Sequence, residues 1–236
     1  TSHSTKHDKA VQVAGYPPMG EGGKALLPPG EGLGRGCFLF RLTPRSKMNP
    51  QPQDHFWHTL SSGCDAALRP WLHDHGSLTQ RIQQRCKEFS VLPVRSGLAR
   101  IAYDEAALLG IAPNRLAYSR EVFLYADGKP VVFAHSTCAS EHLRGAWKAM
   151  RGLGNRSLGS LLFTHPLVIR QPLHFKALRS HHPLHVGRVL TRHVGLKPDL
   201  PIIPDTLWAR RSLFTLHGAP LLVTEVFLPE ILKLNK

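Results

Sequence analysis

The strongest structural constraint in this sequence is an apolar segment near the C-terminus, residues 221–228. A second strand-like segment, residues 207–217, precedes it across a turn at residues 218–220. Two such segments joined by a short turn predict an antiparallel hairpin. Because successive side chains of a strand point to opposite faces, one face of the second strand carries Leu221, Val223, Glu225 and Phe227.

Glu225 therefore shares a strand face with bulky hydrophobic side chains. A carboxylate is costly there unless it is paired, hydrogen-bonded or protonated. Arg120 is a basic residue in a similar setting. It shares one face of a strand at residues 117–125 with Tyr118, Val122 and Leu124. Arg120 and Glu225 either form a structural ion pair or serve a closed pocket for a small anion. The neighbouring Glu121 points to the other face, so it is not the close partner of Arg120.

The remaining patterns indicate an α+β protein. Asp127 and Gly128 separate residues 117–125 from the apolar residues 131–134, which predicts a further hairpin. Ser77 with Gln80 has the form of a capping box and predicts a helix over 77–89. Hairpins with interspersed helices predict helices packed on an antiparallel sheet.

Three other helices are expected later in the chain. Ser140 and Ser157 are candidate N-caps, the second for a short helix through Phe163. Residues 174–205, rich in His and Pro, are interpreted as an excursion from the core that holds a helix near 184–194.

Residues 1–54 differ from the rest because Gly, Pro and polar residues dominate them. The glycines at 30–36 lack a preceding strand, so disorder is favoured over a phosphate-binding loop. The packed domain is expected over 55–236, and Met48 is a candidate for the natural start of the protein.

The formal net charge of +14 favours an anionic partner. The basic residues are spread along the chain without a nucleic-acid-binding motif, so a small acidic substrate is favoured over nucleic acid. No apolar run has the length of a membrane span. The four scattered cysteines form no disulfide or zinc pattern, which favours a reducing cytoplasm. The clustered histidines are interpreted as solvated loop residues, so neither a metal nor covalent catalysis is expected.

Two further segments can bind an anion. Glycines flank the expected helix start at residues 153–159, where backbone N–H groups and the helix dipole favour negative charge. Arg210 and Arg211 lie on opposite faces of a strand, so one is expected to face the pocket and the other solvent. The pattern does not decide which.

Several of these motifs together resemble the chorismate pyruvate-lyase family. They occur in the family's order across residues 57–229, and they are Trp71-Leu72 with Ser77-Leu78-Thr79, Arg120-Glu121-Val122 before Ala126-Asp127-Gly128-Lys129-Pro130, Leu153-Gly154 with Leu158-Gly159 and Leu162-Phe163, Trp208-Ala209-Arg210-Arg211-Ser212, and residues 221–229.

The resemblance implies a monomer with a six-stranded antiparallel sheet and helices that cover an enclosed pocket. It also implies cofactor-free conversion of chorismate to 4-hydroxybenzoate and pyruvate for ubiquinone synthesis. Carried over by position, Arg120 and the backbone N–H of Leu158 bind the ring carboxylate. Glu225 reaches the 4-hydroxyl end, as a hydroxyl ligand or as a proton shuttle, and Leu78 walls the pocket.

Two departures from the family pattern affect these roles. His135 stands where the best-known form has Arg, so Arg210, Arg211 and His135 are all candidates for the enolpyruvyl carboxylate. Ala209 replaces a common Gly. The alternative function is a non-catalytic effector-sensing domain of the same fold.

Overall fold

The computed structural model describes residues 56–193 and 202–234, which build helices around an antiparallel sheet. The strands of this part of the chain are β1 (Phe89–Ala99), β2 (Ala117–Ala126), β3 (Lys129–Ala139), β4 (Ile169–Arg170), β5 (His174–Arg179), β6 (Thr206–Leu216) and β7 (Ala219–Phe227). The sheet order is β1-β2-β3-β7-β6-β4, and β5 also pairs with β6.

The helices are short. The α-helices are α1 (Arg69–Leu72), α2 (Leu78–Gln83), α3 (Tyr103–Leu109), α4 (Leu158–Thr164) and α5 (Val186–Arg192), and 3₁₀ helices occur at Ser140–Arg144, Lys148–Gly152 and Pro229–Leu234. None of these helices has the length and apolar character needed to cross a membrane.

The predicted α+β class with an antiparallel sheet is confirmed. The sheet has seven strands rather than six, because its last position is split in two. Both β4 and β5 pair with β6 along the same edge, β4 with residues 214–215 and β5 with residues 206–211.

Capping residues in the sequence predicted where some of the helices begin. The Ser77 side chain accepts a hydrogen bond from the N–H of Gln80, and the Ser157 side chain accepts one from Gly159, so both predicted N-caps are confirmed. Ser140 instead begins a 3₁₀ helix without a side-chain cap. The helix predicted over 77–89 ends at Gln83.

The interpretation of residues 174–205 as an excursion from the core is wrong for the part that the structure describes. Residues 174–179 form β5 within the sheet, and the helix expected near 184–194 is α5. Leu178 and Val189 are fully buried among residues of the sheet, because β5 extends the sheet and α5 packs on one of its faces.

Residues 1–55, 194–201 and 235–236 lie outside the described part. The expectations of a disordered N-terminal extension over 1–54 and of a start at Met48 therefore remain predictions.

Candidate functional site

The first cavity lies on one face of the sheet, between two hydrophobic clusters. One cluster contains Leu78 and Val122, and the other contains Leu158 and Val223. The cavity has a volume of about 40 Å³, and its lining includes all four of these residues. Strands β2, β3, β6 and β7 form its floor, so the polar residues among the lining lie at fixed positions of the sheet.

Arg120 is 3% exposed and points into the first cavity from β2. Its Nη2 donates hydrogen bonds to the backbone oxygens of Gly154, at 3.0 Å, and Arg156, at 2.9 Å. Burial lowers the pKa of the guanidinium below its ordinary value, although such a group stays protonated in proteins. Arg120 therefore fixes the loop before α4 and has no described acid as its ion-pair partner.

Glu225 points into the same cavity from β7, with 17% of its side chain exposed. It does not pair with Arg120. Its Oε2 accepts a hydrogen bond of 2.5 Å from Nε of Arg210, which lies directly opposite on β6. Its other oxygen has no hydrogen bond to a described residue, so this oxygen can bind a ligand.

Arg210 is 1% exposed and mainly holds other groups in place. Its Nη1 donates to the backbone oxygens of Trp71, at 2.9 Å, and Asp74, at 2.7 Å. Trp71 lies in the last turn of α1 and Asp74 lies two residues after it, so both carbonyls are at the C-terminal end of the helix, where a cation is favoured. Arg210 thus ties β6 to α1 and orients Glu225, which leaves it poorly placed to bind a substrate carboxylate.

Arg170 of β4 is a cavity residue that the sequence patterns missed. Its guanidinium carbon lies 5.3 Å from the ring centroid of Phe214 and 5.5 Å from that of Phe163. Its Nη1 donates to the backbone oxygen of His75 at 2.8 Å, whereas its buried Nε has no partner among the described residues. A two-residue strand gives too little periodicity for the sequence to show this orientation.

The charges that line the first cavity fit a dianion. Three arginines face one carboxylate there. Since Glu225 pairs with Arg210, the cavity retains Arg120 and Arg170 as two guanidinium groups without an ion pair to a described acid. The arrangement can therefore bind a small molecule with two anionic groups.

The starts of α2 and α4 close the first cavity. Leu78 and Leu158, the first residues of these helices, are both buried in its lining. Thr79 Oγ1 and Ser157 Oγ form a hydrogen bond of 2.5 Å between the helices. A side chain at Gly159 would place its Cβ 2.9 Å from Thr79 Oγ1, so only glycine permits this close approach. The N–H of Gly159 donates to Ser157 Oγ, whereas the N–H of Leu158, the first of α4, has no acceptor among the described residues and is available to a ligand.

His135 does not line the first cavity, so the prediction that it binds the same substrate is wrong for this structure. It lies directly opposite Glu121 in the register of β2 and β3, on the other face of the sheet. A β-bulge explains this position. If the strand pairing continued unbroken from the turn between β2 and β3, His135 would lie opposite Arg120, but the register shifts by one residue near Leu124.

The imidazole of His135 lies between two carboxylates. Its Nδ1 is 3.2 Å from Oε1 of Glu121, and its Nε2 is 3.2 Å from Oε1 of Glu105. Burial alone would lower the pKa of His135, but Glu105 and Glu121 outweigh it and raise this pKa to about 9. Burial would raise the pKa of Glu121, but hydrogen bonding and attraction from His135, with help from Arg192 and His193, lower it to about 2.

These pKa shifts predict how stability depends on pH. His135 stabilises the fold fully below about pH 6.5, its ordinary pKa, and this contribution is lost as the pH rises through about 9. At about 1.4 kcal/mol per pKa unit, the loss is about 3 kcal/mol. Replacement of His135 by Gln should remove that decrease in the free energy of unfolding, measured with urea at pH 6 and pH 10. His58→Gln, at an exposed histidine, is the control and should retain it. An equal decrease in His135→Gln would contradict the assignment.

Arg211 also faces away from the first cavity, but it does not face solvent as the strand pattern suggested. Its Nη1 donates to Oδ2 of Asp104 at 2.5 Å, and its guanidinium carbon lies 4.4 Å from the ring centroid of Trp57. Arg210 is buried and Arg211 is partly buried, with 11% of its side chain exposed, because helices and loops cover both faces of the sheet here. In the described ranges, no cluster of three or more His, Cys, Asp or Glu could hold a metal ion.

Comparison with known proteins identifies the family. A family model described as chorismate lyase matches residues 52–235. A probable chorismate pyruvate-lyase of Nitrosospira multiformis is 52% identical over 179 residues, which cover 75% of this chain and 95% of that protein. A probable chorismate pyruvate-lyase of Nitrosomonas europaea is 47% identical over 178 residues, 75% of this chain and 96% of that protein. The chain belongs to the chorismate lyase family, which confirms the resemblance of the sequence motifs.

One solved structure matches part of the chain. The effector domain of PhnF from Mycobacterium smegmatis matches with a TM-score of 0.42 and 13% identity, over 66% of this chain and 90% of that chain. A likeness at this level has no weight for function.

Proposed function

We propose that this protein is a chorismate pyruvate-lyase, which converts chorismate to 4-hydroxybenzoate and pyruvate. The observation that supports it best is the cavity charge: Arg120 and Arg170 have no ion pair with a described acid, and they lie in an apolar cavity that also contains Glu225. Chorismate is a dianion with a ring carboxylate and an enolpyruvyl carboxylate. The family membership supplies the substrate, and the cavity supplies groups that match its charges.

Arg120 binds the ring carboxylate in this proposal. Its Nη2 is already held by the backbone oxygens of Gly154 and Arg156, so the guanidinium is oriented before the substrate arrives. The backbone N–H of Leu158, at the start of α4, is a second donor to the same carboxylate. Leu78 on α2 packs against the ring from the other closing helix.

Arg170 binds the enolpyruvyl carboxylate, because it is the remaining cavity cation without an acidic partner in the described chain. Phe163 and Phe214 hold its guanidinium from two sides, and its Nε, which has no partner in the described part of the chain, is a donor for an anionic oxygen. The sequence had offered Arg210, Arg211 and His135 as candidates for this carboxylate. Arg210 is paired with Glu225, whereas Arg211 and His135 lie on the other face of the sheet.

Glu225 acts at the C4 end of the ring. In the reaction, the bond from C3 to the ether oxygen breaks and its electron pair leaves with the enolpyruvate, which is protonated to pyruvate. The C4 hydrogen leaves as a proton, and the ring becomes aromatic. The second carboxylate oxygen of Glu225, which has no hydrogen bond to a described residue, accepts one from the 4-hydroxyl group and is the acid–base group that we assign to this proton. Because aromatisation drives the step, the protein mainly orients the dianion and excludes water.

Substrate entry requires α2 and α4 to separate. A cavity of about 40 Å³ is far smaller than the roughly 300 Å³ at the lower end of small-molecule sites. The hydrogen bond between Thr79 and Ser157 joins the two helices, so it must break as they part.

Arg170→Met should raise KM for chorismate about 10- to 100-fold, because the enolpyruvyl carboxylate loses its charged partner. The affinity for 4-hydroxybenzoate should change less than about threefold, because this product lacks the second carboxylate. Steady-state kinetics and calorimetric titration measure the two effects. Arg170→Lys, which keeps the charge, should have an intermediate KM. Equal weakening of substrate and product binding would contradict the role of Arg170.

Family membership also supports a proposal about the biosynthetic step, the oligomeric state and the location of the enzyme. We place the enzyme at the step that supplies 4-hydroxybenzoate for ubiquinone synthesis, as a cofactor-independent monomer in the cytoplasm. The described cysteines Cys64, Cys86 and Cys138 are all free thiols, which is compatible with a reducing compartment.

A further inference from the structure

A second cavity lies on the opposite face of the sheet from the first cavity. Successive strand residues show the separation, since Arg120 and Arg210 line the first cavity whereas Ser119 and Arg211 line the second. The second cavity has a volume of about 280 Å³, close to the roughly 300 Å³ at which small-molecule sites begin. The proposed reaction uses none of its residues.

The wall of the second cavity combines apolar surface with a buried hydroxyl that lacks a partner among the residues the structure describes. Trp57, Ile101 and Leu184 contribute apolar surface. Ser119 is 1% exposed, and its Oγ has no hydrogen-bond partner among the described residues. A buried hydroxyl without a partner destabilises the fold, so a ligand atom that bonds to it would recover the lost interaction.

Basic residues outnumber acidic ones around the second cavity. Its lining has five Lys or Arg residues against three Asp or Glu residues, and the protonated His135 adds a further positive charge. The acids are engaged by Arg211 and His135, with Arg192 at 3.9 Å from Glu121. Arg95 and Arg100 are exposed, and neither has an ion pair with a described acid. The positive excess therefore lies partly at the entrance, where it attracts an anion.

We propose that the second cavity is a binding site for a small organic anion, specifically a monocarboxylate with a compact apolar body. The body packs against Trp57, Ile101 and Leu184, and the carboxylate lies towards Arg95 and Arg100. The position of this site across the sheet makes it separate from the proposed catalytic site, and its existence does not depend on the chorismate reaction.

The test uses 4-fluorobenzoate as the probe, with ¹⁹F NMR to separate bound resonances and calorimetry to count sites on the full chain. The wild type should bind two molecules per chain. Arg120→Met should leave one bound molecule, the one in the second cavity. Adding Ala102→Trp to that variant should fill the second cavity and remove this molecule as well. Arg100→Glu in the Arg120→Met protein should weaken the remaining site at least fivefold. Arg115→Glu is the matched control, because this exposed arginine lines neither cavity.

Two results would overturn the proposal. One is a single bound molecule in the wild type that disappears in Arg120→Met. The other is a remaining site that neither Ala102→Trp nor Arg100→Glu weakens. Chorismate turnover, measured in parallel, keeps this test distinct from the proposed function, since Ala102→Trp should retain near-normal kcat. Loss of turnover in a folded Ala102→Trp protein would assign the second cavity to catalysis and would also overturn a separate site.

Discussion

Arg120→Met should reduce kcat/KM for chorismate by about 10²- to 10³-fold. The variant leaves the ring carboxylate of the bound substrate buried without its charged partner, and truncation of one member of such a pair costs about 2–5 kcal/mol. Arg120 is suited to this role because it is 3% exposed and forms no ion pair with a described acid. The affinity for 4-hydroxybenzoate should fall by a similar factor, because the product retains the ring carboxylate. Stopped assays and titration calorimetry measure the two quantities.

Two controls separate binding from folding in this experiment. Arg120 also holds the backbone oxygens of Gly154 and Arg156, so the variant's thermal unfolding and circular dichroism must be compared with the wild type. Arg115→Met removes an exposed arginine and should leave kcat/KM unchanged. A folded Arg120→Met protein with kcat/KM within about threefold of the wild type would refute the assignment of Arg120.

Glu225→Gln should reduce kcat about 10²- to 10⁴-fold, the range typical of a lost acid–base group. The amide can still accept the hydrogen bond from Arg210, so the contacts of this buried arginine with α1 should survive. Glu141→Gln, at an exposed acid, should have normal kinetics.

Two measurements separate the roles of Glu225. If it binds the 4-hydroxyl group, Glu225→Gln should lose the wild type's preference for 4-hydroxybenzoate over benzoate. If it moves the C4 proton, chorismate deuterated at C4 should show a kinetic isotope effect that changes in the variant. A folded Glu225→Gln protein with near-normal kcat and an unchanged ligand preference would exclude both roles.

The sequence was sufficient to place Arg120 and Glu225 each on an apolar strand face, but the structure was needed to show that both faces line one cavity. Alternation along β2 and β7 determines which face each side chain occupies, and burial of the neighbouring hydrophobes fixes that face. The predicted N-caps Ser77 and Ser157 then locate α2 and α4, whose first residues close the same cavity.

Strand register explains what the sequence did not reveal. The last turn was expected at 218–220, but its central residues are His217 and Gly218, with positive φ values of 50° and 77°. A two-residue turn at this position brings Arg210 opposite Glu225. The turn expected at 218–220 gives a different register, in which these two residues are not directly opposite each other. The bulge between β2 and β3 likewise moves His135 to the other face. A one-residue shift reverses the face of a side chain, so residue patterns alone do not fix such pairs.

The lyase activity is tested by incubating the purified protein with chorismate and following 4-hydroxybenzoate by ultraviolet absorbance, with pyruvate measured enzymatically in the same samples. We expect equal amounts of the two products without an added metal or cofactor, and a large loss of both in Arg120→Met. A folded protein that binds 4-hydroxybenzoate but forms neither product would refute the lyase activity and favour an effector-sensing domain.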